Sequence, residues 1–74
     1  MKDSSQRIVN AITLMTESVV NKTKTVKEAE EQFAKIISKE QLLDSLTDDT
    51  LDSDDIKTCH ELLKKYFNYE VAVN

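Results

Sequence analysis

The only cysteine and the only histidine of the 74-residue chain are neighbours, Cys59 and His60, inside the stretch DSLTDDTLDSDDIKTCHELLKK at 44–65. A thiol beside an imidazole can supply a nucleophile and its base. The aspartates upstream (Asp48, Asp49, Asp52, Asp54 and Asp55) can supply oxygen ligands for a hard cation. Spacing argues against both chemistries. Adjacent residues on a helix point about 100° apart and do not face each other, so Cys59 and His60 make no dyad. Cys59 also falls between Ile56 and Leu63 on a face expected to be buried, where cysteine behaves as a small hydrophobe. A calcium loop wants alternating carboxylates, Gly at its sixth position and Glu at its twelfth. Counted from Asp48, those positions hold Ser53 and Cys59; counted from Asp49, the third is Leu51 and the twelfth His60. With one cysteine and one histidine there is no zinc-ligand spacing either. No catalytic residue, metal or cofactor is expected.

Two tripeptides in this stretch carry short resemblances. Asp44-Ser45-Leu46 resembles the tripeptide that bears phosphopantetheine in acyl carrier proteins, which are also small, acidic and helical. In that family the serine opens a long helix, whereas Ser45 here is expected to close a short one ahead of TDDT. His60-Glu61-Leu62 resembles the His-Glu-Leu of histidine-kinase dimerisation domains, where a second long helix completes a four-helix dimer. Here no proline follows, and residues 61–74 leave little room for that helix. Each resemblance stops at three residues. His60 reads as a boundary residue beside an apolar stripe.

Helix physics accounts for the same residues directly. Asp52, Ser53, Asp54 and Asp55 stand where side-chain oxygens cap free N–H groups and negative charge suits the dipole. Lys64 and Lys65 stand at the other end, and Glu61 has Lys65 at i, i+4. The polar stretch is the start of a helix, 54–67, with Ile56, Cys59, Leu63, Tyr66 and Phe67 facing in.

The elements that would position these residues follow from spacing. In 5–21, Ile8, Ile12, Met15 and Val19 form one stripe, widened by Val9 and Val20 on one side and by Ala11 and Leu14 on the other. That exceeds the ~100° an ordinary surface helix needs. Thr25 with Glu28 is a capping-box pair and opens a second helix with Val26, Ala29, Phe33, Ile36 and Ile37 inward. The link between them is short, so these two helices should be antiparallel neighbours. Ser38 with Gln41 offers another cap, and Leu42, Leu43 and Leu46 break the previous phase. A short helix over 39–46, or a kinked extension of the second, is expected there. Leu51 anchors the following loop. The fold class is all-α: three main helices plus one short helix before the last, in a single domain over 1–74, with 68–74 as a flexible tail. The core is expected to hold Ile12, Met15, Val19, Phe33, Ile37, Leu63 and Tyr66.

Composition narrows the function. Gly, Pro and Trp are absent, which removes every glycine-dependent phosphate loop. Ten basic and fourteen acidic residues give a net charge of −4, opposed to non-specific binding of nucleic acid or anionic membrane. No apolar run approaches the ~20 residues of a membrane span, and no signal-peptide core follows Met1-Lys2. A soluble cytoplasmic protein is expected, and the Lys, Asp, Asn and Ile bias points to an AT-rich bacterial or phage source. A chain this short buries only roughly 60% of its unfolded surface, so oligomerisation or docking is a common remedy. The expected function is a small acidic helical module, no enzyme, that binds another protein stoichiometrically as a regulator or inhibitor. Tyr66, Phe67, Tyr69, Val71 and Val73 are the candidate partner contacts, because aromatics anchor interfaces and the Tyr69/Val71/Val73 alternation suits an added strand. Val9, Ala11, Leu14 and Val20 are the candidate contacts of a homodimer. The alternative is a helix-turn-helix-like nucleic-acid-binding regulator, opposed by Asp52, Asp54 and Asp55 at the end that would meet phosphate.

Overall fold

The computed structural model describes residues 2–69 and builds them into four helices: α1 (Asp3–Val20), α2 (Val26–Ile36), α3 (Lys39–Ser45) and α4 (Ser53–Phe67). There is no strand among the described residues. α1 packs against α2 and α3, and α4 packs against α3 and α2. Val71 and Val73 lie outside the described residues.

The local chemistry of the termini sets these boundaries. Thr25 accepts from the Glu28 N–H at 3.2 Å while the Glu28 carboxylate accepts from the Thr25 N–H at 3.1 Å. Ser38 and Gln41 repeat that box at the start of α3. Two orphan donors are satisfied at each end. At Ile37 the backbone is extended (φ −114°, ψ 125°), so α3 is a separate helix and not a kinked continuation of α2. The Asp52 side chain accepts from the Asp54 N–H at 3.2 Å and opens α4. Without glycine, two helices leave through left-handed residues of other types, Lys22 (φ 60°) and Asn68 (φ 50°). Asn68 suits that conformation better than lysine does. The N–H groups of Asn68 and Tyr69 both return to the Leu63 carbonyl.

The core is one cluster of Ile8, Ala11, Phe33, Ile37, Leu42, Cys59, Leu62 and Leu63. Each large side chain of this set contributes about 1.5–3 kcal/mol by leaving water. Leu51 is buried and anchors its loop as expected. Four expectations are corrected. The buried line of α1 runs through Ser5, Ile8 and Ala11, leaving Ile12 and Met15 half-buried at its margin and Val19 half-buried beyond it. Val26 and Ile36 are each 56% exposed, not inward. Val26 is the first residue of α2 and lies at the rim of the α1–α2 seam, and the chain turns after Ile36 so that Ile37 is the one inserted. Leu62 is enclosed because α4 packs on two helices and buries a wider arc. Tyr66 is half-buried, packed on the cluster and not inside it.

Candidate functional site

The residues of the polar stretch are held in structural roles. The Ser45 hydroxyl is fully buried, donates to the Leu42 carbonyl at 2.7 Å and lies 3.8 Å from the Cys59 sulfur. A carrier-type modification needs that hydroxyl at the surface. Burial pushes the Cys59 thiol up, opposed by the Ser45 contact and aided by the charge of Asp55, so its thiolate is disfavoured. His60 is half-buried at the edge of the same helix. Desolvation first, then the charges of Asp52 and Asp54, raise the Asp55 carboxyl from its ordinary value. Among the described residues no three His, Cys, Asp or Glu side chains converge as metal ligands.

Asp48 is the one carboxylate of this stretch drawn into the fold. It accepts from the Thr50 hydroxyl at 2.6 Å, the Thr50 N–H at 2.9 Å and the Lys2 N–H at 3.0 Å. The Thr50 hydroxyl first, then the two backbone N–H groups, hold its carboxyl well below the usual range. Ser5 lies beside it and adds to this polar setting, although the fully buried Ser5 Oγ meets no partner in hydrogen-bond geometry. Lys2 is the N-cap of α1 and offers no side-chain cap of its own. Its ammonium instead reaches Thr47 Oγ1 at 2.6 Å and Asp44 Oδ1 at 3.3 Å. The start of α1 is therefore strapped to the α3–α4 loop.

The surface of α1 and α2 carries a further feature, a set of exposed apolar side chains. Among the described residues, the four large aliphatic side chains that stand exposed belong to these two helices: Leu14 (61%), Val20 (70%), Val26 and Ile36. They fall into two pairs. Leu14 and Ile36 together line two adjoining clefts along one side of the α1–α2 seam, of about 130 and 250 Å³. Val20 and Val26 line a third depression with Met15 and Val19. The first two clefts fall short of the ~300–1,000 Å³ of a small-molecule site and suit single side chains.

Among the residues singled out for self-association, Leu14 and Val20 are open to solvent and Val9 is half-buried. Ala11 is corrected: at 5% exposure, it is a core residue whose methyl group forms only the floor of the seam. The candidate partner contacts Tyr66, Phe67 and Tyr69 pack on the core while keeping an outer edge. The Tyr66 hydroxyl donates to Glu30 Oε1 at 3.1 Å, and Lys65 Nζ meets the same oxygen at 2.7 Å. Lys65 thus ties α4 to α2, with Glu61 only a weaker electrostatic neighbour, contrary to the pairing along the helix. Lys39 stands over the Tyr69 ring at 4.7 Å from its centre.

No protein family, curated protein or solved structure matches this chain. The site therefore rests on geometry. Sequence reasoning missed Val26 and Ile36 as surface residues. The available signal was crowding: Ile36 and Ile37 are adjacent, about 100° apart on a helix, and one inward slot cannot take both.

Proposed function

We propose that the chain is a small acidic interaction module that regulates or inhibits a partner protein by occupying it, without catalysis. The carrying observation is the exposure of Leu14, Val20, Val26 and Ile36 on one helix pair. Scattered exposed apolar residues need no explanation, but paired ones along a seam are what an interface uses. The half-buried Tyr66, Phe67 and Tyr69 extend the available contact surface at the end of α4. A cytoplasmic location accords with this reading, and no described helix is long and apolar enough to cross a membrane.

Self-association is a second part of the reading, favoured by the Val20–Val26 edge, with Val9 on the same side of α1 about three turns away. A homodimer there leaves the Leu14–Ile36 side open to the partner. The nucleic-acid alternative would place the first turn of α4 against phosphate, where Asp52, Asp54 and Asp55 repel it.

The test is affinity capture from the source cells with the intact chain, with a Leu14→Ser/Ile36→Ser variant and with a chain truncated after Asn68. Loss of a captured protein in the double variant supports the module. Capture by all three alike assigns the contact elsewhere, and salt-sensitive recovery of nucleic acid alone favours the regulator of nucleic acid.

A further inference from the structure

The Leu14–Ile36 seam differs from the rest of the molecule in charge. Fourteen of 74 residues are acidic and the chain carries −4 overall, yet no aspartate or glutamate lines either of its two clefts. The charged residues that do line them are Arg7 in one cleft and Lys24 in the other. Arg7 belongs to the second turn of α1, and Lys24 follows its last turn. Leu14 and Ile36 line both clefts, above a floor of Ala11, so the two are one apolar track with a cation towards each end. Glu28 is an electrostatic neighbour of Lys24 but does not line the track.

We infer that this track takes an acidic amphipathic helix of a partner protein, its apolar stripe on Leu14 and Ile36 and its flanking carboxylates on Arg7 and Lys24. The inference rests on the module reading and names the chemistry of the partner. From Arg7 to Ser18 the track follows α1 for about 17 Å at 1.5 Å per residue, roughly three helical turns. A groove between two helices with separate side-chain clefts fits the helix-in-groove mode. Strand addition needs an open sheet edge, and the described residues contain no strand. A second copy of the chain is a poor occupant. A two-fold interface sets the track against itself, and in either orientation cations then meet cations, Arg7 on Arg7 or Arg7 on Lys24. Among the described residues, the large exposed apolar side chains also lie on the track or on the Val20–Val26 edge, and so offer no acidic apolar helix to insert.

The experiment uses three labelled synthetic helices that share one leucine stripe and differ in flanking residues, all Glu, all Gln or all Lys. Binding to the intact protein is read by fluorescence anisotropy. The Glu helix is expected to bind roughly tenfold more tightly than the Lys helix, two exposed ion pairs being exchanged for two repulsions. That gap should close as salt is added. Leu14→Ser and Ile36→Ser should each weaken all three helices, while Val20→Ser should weaken none. Arg7→Glu/Lys24→Glu should reverse the order of the Glu and Lys helices. Arg7→Glu alone should narrow it and guards against a folding defect in the double variant, with helicity checked for each. Equal binding of the Glu and Lys helices overturns the proposal, as does indifference to Leu14→Ser. So does a free protein that sediments as a dimer dissociated by Leu14→Ser. If no helix binds while affinity capture still recovers a protein, this proposal falls and the module stands; if capture also fails, both fall.

Discussion

Asp48 and Cys59 sit in the same polar stretch and their environments drive them in opposite directions. The carboxyl of Asp48 is held below its ordinary value by the Thr50 hydroxyl and the N–H groups of Lys2 and Thr50. A folded-state value below the unfolded one, about 3.9, stabilises the fold at every pH above the unfolded value. That contribution is lost as pH falls through about 4 towards the folded value. Urea unfolding from neutral pH down to about 3 should show a loss of stability that is blunted in Asp48→Asn. The same variant should already be less stable at neutral pH, because an amide presents N–H groups to N–H donors. For Cys59, burial raises the thiol and denies it solvent, so a thiol reagent should label native protein slowly and urea-unfolded protein at once. Fast native labelling would contradict the buried position. The thiol's burial was legible from its place between Ile56 and Leu63. The role of Asp48 was not, since its partner Lys2 is 46 residues away and spacing rules reach only one or two turns.

At the scale of elements, what could be read in the sequence was the chemistry that a helix completes within itself. Both capping boxes and the Asp52 cap stand as their spacing implied. The division into three main helices and a short one followed from those caps and from the change of phase at Ser38. Side-chain direction at helix ends was less legible, because it depends on which neighbour is present to cover it. Phe33 and Ile36 lie three residues apart on α2, one enclosed at 2% exposure and the other mostly exposed. Phe33→Ala should cost about 3–5 kcal/mol. Ile36→Ala, at a site still in water, should stay within about 0.5 kcal/mol. Thermal melts followed by circular dichroism measure the contrast. Near-equal losses would mean that Ile36 is covered in solution and would locate a contact on the seam. Lys65 gives the same lesson in electrostatics: its nearest carboxylate in helical spacing is Glu61, but packing of α4 on α2 delivers Glu30.

Over the whole molecule, the apolar surplus that spacing assigned to α1 belongs to α1 and α2 together, as two patches on different stretches of their seam. A width estimate on one helix cannot reveal this, since the second helix contributes half of each patch. The two patches give sedimentation a specific reading. If the Val20–Val26 edge forms a homodimer, the protein should be dimeric at high micromolar concentration, and Val20→Asp should make it monomeric. A monomer at all concentrations would leave both patches to other proteins.

The strap between Lys2 and the α3–α4 loop also bears on the order in which the chain assembles. α2 and α3 carry N-terminal caps made within a single turn, whereas α1 borrows its N-terminal acceptor from Asp48. Such a contact forms only after a long loop has closed, and the entropy of closure must be met before the contact offsets it. In stopped-flow measurements, Asp48→Asn should therefore accelerate unfolding and leave the refolding rate nearly unchanged. Removing the Thr25 cap, a contact three residues long, should slow refolding instead. Opening in the native state would then begin at the first turn of α1, whose amides should exchange with solvent before those around Leu62 and Leu63.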